Sequence, residues 1–163
     1  MKITLNRKLL LSVASVLGAG VLAVATGVLS SGASAAPDGV RLVGDESGGA
    51  VLVVTALEPG DSVTRTVTIE NTTDAESRMT FTEQGGPATF ADGELQVVID
   101  RDGDELYDGR FGEMGDFAQD VGLLPAGGSA TFSFTVSLPD DAEFVPAGTQ
   151  RAEASYTWLT GRS

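Results

Sequence analysis

Along most of the chain apolar and hydroxyl-bearing residues alternate one by one, and the alternation predicts strands. From Val63, one side of the segment reads Val63, Arg65, Val67 and Ile69 while the other reads Thr64, Thr66, Thr68 and Glu70. A period of two rich in β-branched residues suits a half-buried strand, because successive side chains leave opposite faces of the pleat. The same reading covers Ala50 to Thr55, Met79 to Glu83 and Leu95 to Asp100. It is clearest towards the end, where Ala130, Phe132, Phe134, Val136 and Leu138 alternate with Thr131, Ser133, Thr135 and Ser137. Ala152, Ala154, Tyr156 and Trp158 then alternate with Glu153, Ser155 and Thr157. None of these segments has helical periodicity. Roughly seven to nine short strands separated by turn residues predict an all-β fold, an antiparallel β-sandwich of jelly-roll or Ig-like type.

The turns support this. Leu57-Glu58-Pro59-Gly60-Asp61-Ser62 leads into the Val63 strand, and Leu124-Pro125-Ala126-Gly127-Gly128-Ser129 leads into the Ala130 strand. Proline presets a turn and glycine supplies a positive φ, so each hexapeptide is expected to redirect the chain onto a new strand. Between Arg101 and Leu123 the alternation is broken by Gly103, Gly109, Gly112, Gly115 and Gly122. This is read as the longest connection, and a connection of that length is where a functional site is sought.

The N-terminus follows another pattern. Lys2, Arg7 and Lys8 precede an apolar run from Leu9 to about Leu29, and Ala33-Ser34-Ala35 then Ala36-Pro37 follow. A positive start, an apolar middle and a small-x-small exit describe a secretory signal peptide cleaved after Ala35. An uncleaved membrane anchor is the second reading, since about 20 apolar residues span a bilayer. The expected organisation is therefore a leader over 1–35, a flexible Gly/Asp/Ser-rich segment over 36–49 and a sandwich domain over 50–163. The C-terminal Leu159-Thr160-Gly161-Arg162-Ser163 contains no cell-wall sorting motif, so covalent wall anchoring is not expected.

Charge and composition narrow the chemistry. Three of the ten basic residues and none of the 23 acidic ones lie in the leader. The mature chain thus carries seven arginines against 23 carboxylates, a net −16. Such a surface repels nucleic acid and anionic lipid, so no nucleic-acid partner is expected, and membrane contact only through an uncleaved leader. With no histidine and no cysteine, the chain has no Ser-His-Asp or Cys-His nucleophile, no disulfide and no zinc site of the usual kind.

One loop invites a cation. Asp100, Asp102, Asp104 and Asp108 fall in Asp100-Arg101-Asp102-Gly103-Asp104-Glu105-Leu106-Tyr107-Asp108-Gly109, which begins like a calcium loop. Against the EF-hand template Glu105 stands where glycine is required and Phe111 where the bidentate glutamate belongs. The competing reading is a solvated acidic turn. Asn71-Thr72-Thr73 fits a glycosylation sequon and is read as a strand-end turn. Paired carboxylates alone can run glycoside hydrolysis, but Trp158, Tyr107 and Tyr156 are largely accounted for by strand faces rather than a sugar platform.

Three segments, in order, resemble the TasA/camelysin family of secreted matrix proteins of Gram-positive bacteria. They are Leu57 to Asn71 with its Pro-Gly-Asp turn, strand and closing Asn; Leu106-Tyr107-Asp108-Gly109; and Leu123-Leu124-Pro125 through Leu138-Pro139. The resemblance implies a jelly-roll-like sandwich whose members assemble into extracellular fibres by lending a terminal strand to the next subunit. The leader departs from the family by ending in Ala-Ser-Ala rather than an aromatic Phe-Ser sequence. Some relatives are described as metalloendopeptidases, and with no histidine here no metal or catalytic residue is carried over.

The sequence therefore reads as a secreted, non-enzymatic structural or interaction protein of the extracellular matrix or cell envelope. Its expected partners are other copies of itself or other matrix components, and calcium is the one cation for which it offers a loop. The alternatives are a calcium-stabilised Ig-like binding module using Asp100 to Asp108 and, behind it, a hydrolase.

Overall fold

A computed structural model of the chain describes residues 22–27, 39–44 and 48–162. They form ten strands: β1 (Leu22–Gly27), β2 (Val40–Gly44), β3 (Gly49–Val54), β4 (Ser62–Asn71), β5 (Ser77–Gln84), β6 (Gln96–Arg101), β7 (Asp104–Arg110), β8 (Gln119–Leu124), β9 (Ser129–Ser137) and β10 (Ala152–Arg162). One short 3-10 turn, Phe90–Gly93, interrupts them. The strands make two five-stranded antiparallel sheets, ordered β1-β4-β9-β6-β7 and β2-β3-β10-β5-β8. The chain is an antiparallel β-sandwich, and nine of its strands lie beyond residue 35.

The two Pro/Gly hexapeptides make the same move. Each carries the chain from the second sheet into the first, one from β3 to β4 and the other from β8 to β9. Gly60 (φ 85°) and Gly127 (φ 65°) occupy the left-handed region that glycine adopts without strain. Leu57 and Leu124, which open the two hexapeptides, are both buried. β4 and β9 then pair without a register shift from Ser62↔Ser137 to Glu70↔Ser129.

The core lies between the sheets and is bridged by aromatic rings. Phe81 of β5 stacks on Tyr156 of β10 at 5.5 Å and 5°, and on Phe132 of β9 across the sandwich at 5.5 Å and 26°. Phe134 meets Tyr156 at 4.7 Å, and Trp158 meets the edge of Phe132 at 5.2 Å. Trp158 is a core residue, 3% exposed, as its strand position suggests. Its indole N–H finds no hydrogen-bond acceptor among the described residues, so it contributes apolar surface alone.

The structure extends the sequence reading in two places. The stretch read as one long connection contains β7 and β8. β7 is an edge strand with only Leu106 and Tyr107 half-buried, so its apolar signal is thin. β8 pairs with β5 across a register shift between Met79 and Thr80, beside Gly122 at φ 93°, which breaks the alternation expected of a strand. The segment read as flexible supplies β2, whose Val40 is buried and whose five residues pair with β3.

Because Phe81 touches four other rings and is fully buried, Phe81→Ala is expected to lower stability by about 3–5 kcal/mol. Urea denaturation followed by tryptophan fluorescence measures this, and a loss below about 1 kcal/mol would show that the ring stack is not the centre of the core.

Candidate functional site

The four aspartates of the acidic run lie on a β-hairpin and do not converge. Asp100 sits at the end of β6 opposite Glu105, and Asp104 opens β7 opposite Arg101. Asp102 occupies the turn at φ 52°, where its Oδ1 accepts a hydrogen bond from Thr131 N (2.9 Å) while its own N–H donates to Thr131 O (2.8 Å). Asp108 lies opposite Val98, farther along β7. Four residues of extended strand separate Asp104 from Asp108 by about 13 Å, whereas oxygens sharing one calcium lie within about 2.6 Å of it. Among the described residues no cluster of three or more acidic side chains is disposed to hold a metal. Asp102 instead pins the hairpin turn to the start of β9.

Asn71 ends β4 at 1% exposure. Its Nδ2 donates to Ala75 O (2.8 Å), Leu124 O (3.0 Å) and Pro125 O (3.0 Å). Its Oδ1 accepts from the N–H and hydroxyl of Thr73. The sequon asparagine is thus the knot tying the end of β4 to the hexapeptide before β9, and its amide is committed inside the fold.

A buried acid that the motif search missed lies at Glu83, 1% exposed on β5. The signal was available, since Met79, Phe81 and Glu83 share the inward side of an alternating strand. Glu83 Oε1 accepts from Met114 N (3.0 Å) and Oε2 accepts from Tyr156 OH (2.9 Å). Burial pushes the Glu83 carboxyl above its ordinary value, against the lowering effect of hydrogen bonds from Tyr156, Met114 and Gly115, and nearby Asp116 adds to the rise. Burial also raises the Tyr156 hydroxyl, which therefore remains a donor. The group anchors the segment after β7 to the core; closed from solvent and held by these donors, it has no open side for a substrate.

Two edge features remain. Arg65 occupies a core-facing position on β4, 3% exposed, where Nε donates to Val40 O of β2 (2.9 Å) and Nη1 to Thr64 O (3.1 Å). It closes the side of the sandwich between the sheets. On the outer side of β4 lies β1, antiparallel and in register from Leu22↔Asn71 to Gly27↔Thr66. β1 falls inside the segment expected to be the leader, and its only strand neighbour within a sheet is β4. Elsewhere, a shallow groove runs between Leu57, Glu58 and Asp61 on one side and exposed Phe144 on the other.

No family model matches the chain, and no curated protein matches it. Among solved structures, it is similar to the secreted serine protease VesC from Vibrio cholerae, at 11% identity and a TM-score of 0.31. The match covers 68% of this chain and 21% of that one, so the chain spans about a fifth of the protease's length.

Two outcomes follow from this geometry. Asn71→Ala leaves buried carbonyls without their donor and is expected to cost about 3 kcal/mol in urea unfolding. A Glu83 carboxyl raised in the folded state contributes stability that is present below the ordinary carboxylate range and is lost as pH rises through the raised value. The stability difference between the parent and Glu83→Gln should therefore move in the variant's favour between pH 4 and pH 7. A difference that stays level or moves the other way would show that burial does not govern this group.

Proposed function

We propose that the chain is a secreted structural and interaction protein of the extracellular matrix or cell envelope that self-associates by accepting a strand from a second copy along β4. The observation that carries this reading is the place of β1. Cleavage after Ala35 would remove β1 and leave β4, ten residues long, as the outer strand of its sheet.

An edge of that kind is adhesive, because its unpaired N–H and C=O groups form a template for another strand. β4 carries no proline, and its pairing with β9 is free of bulges, so nothing in the backbone twists the edge away. Arg65 does point inward, a common way of blunting an edge, but its guanidinium is spent on Val40 and Thr64 carbonyls.

The donor in this reading is the N-terminal segment of the neighbouring copy, residues 36–49. Within its own copy that segment provides β2, an edge strand held to one neighbour by five residue pairs. Lending it exchanges one set of ladder bonds for another, so little net free energy is lost. The mature net charge of −16 opposes association at neutral pH, and protonation or a divalent cation relieves it.

Light scattering on residues 36–163, titrated from pH 7 towards the isoelectric region near 4.1 with and without calcium, tests the proposal. Growth into fibres is the expected result. A monomer at every pH and calcium concentration would overturn it.

A further inference from the structure

The strand that covers β4 and the strand proposed to be lent to a neighbour flank the expected cleavage point. β1 ends at Gly27, opposite Thr66, and β2 begins at Val40, whose carbonyl is held by Arg65, the next residue of β4. The bond between Ala35 and Ala36 lies in the connection between them. While that connection is intact, β1 competes for the β4 edge as part of the same molecule.

Its advantage is a matter of concentration. A strand tethered through a short linker is present at an effective concentration on the order of millimolar, far above that of a second copy in dilute solution. Cutting the linker turns the same strand into a free peptide that is lost by dilution.

Resting on the reading that β4 accepts a strand, we propose that residues Leu22–Gly27 are a built-in cap on this edge, so that removal of the leader is the step that licenses self-association. The cap spans Thr66 to Asn71 and leaves Ser62 to Arg65 uncovered. It places position 24 opposite Ile69 and position 26 opposite Val67, both core residues, and positions 23 and 25 opposite Glu70 and Thr68 on the outer face. Directly paired residues of antiparallel strands share a face, so charge should be tolerated at 25 and rejected at 24.

The test uses the full chain with a specific protease site in place of Ala33–Ala35, kept in mild detergent and followed by light scattering before and after cutting. Growth should be at least about tenfold faster after the cut, and a synthetic peptide of residues 22–29 added in excess should suppress it. Equal growth before and after cutting would overturn the cap. In parallel, fluorescence anisotropy of the labelled peptide on residues 36–163 should show saturable binding that Val24→Asp weakens at least tenfold and Ala25→Asp changes by less than about threefold. No binding, or equal losses from the two substitutions, would also overturn it. If residues 36–163 never grow yet bind the peptide with this pattern, strand donation between copies fails while the cap stands.

Discussion

The two sheets are held together by a stack of rings rather than by covalent links. Phe81 lies between Tyr156 in its own sheet and Phe132 in the other, and the chain contains no cysteine to reinforce that contact. Everything else is arranged around keeping this interior dry. The crossings that bring β4 and β9 alongside each other bury Leu57 and Leu124 as they turn, and the side of the sandwich between β4 and β2 is closed by Arg65.

The polar groups inside the fold follow one rule: each satisfies backbone that the crossings would otherwise leave bare. Asn71 serves carbonyls in two turns, Glu83 takes the N–H of Met114, and Arg65 takes the carbonyl of Val40. In a domain whose strands pass repeatedly between layers, connecting backbone is brought under cover without a ladder partner, and a buried polar side chain is the economical way to bond it. Such residues look functional in a sequence, yet here they are architectural.

The strands with inward aromatic or branched residues were legible from alternation alone, as were the matched turns before β4 and β9. β7 was hidden because an edge strand buries little and so needs few apolar residues, and β2 because five residues flanked by glycine and acid carry too short a pattern. The acidic run was visible as composition, but whether aspartates converge depends on dihedral angles that spacing does not reveal. They lie on an extended hairpin, and extension separates what a loop would gather. Glu83 was readable in principle, since a carboxylate in phase with Met79 and Phe81 must face inward.

The position of β10 has a consequence for the order in which the domain can form. It lies at the centre of its sheet, between β3 and β5, and it is the last strand of the chain. Neither β3 nor β5 has another interior neighbour in that sheet, and both Tyr156 and Trp158 of the ring stack arrive with it. In the other sheet β4 waits for β9, about 70 residues downstream, as the bond between Thr64 and Thr135 illustrates. A chain emerging from its N-terminus therefore has no half that can close early. Non-local pairing of this kind delays collapse into the native form until nearly the whole polypeptide is available. Such a chain stays threadable through a narrow passage, and folding becomes an event of arrival rather than of synthesis.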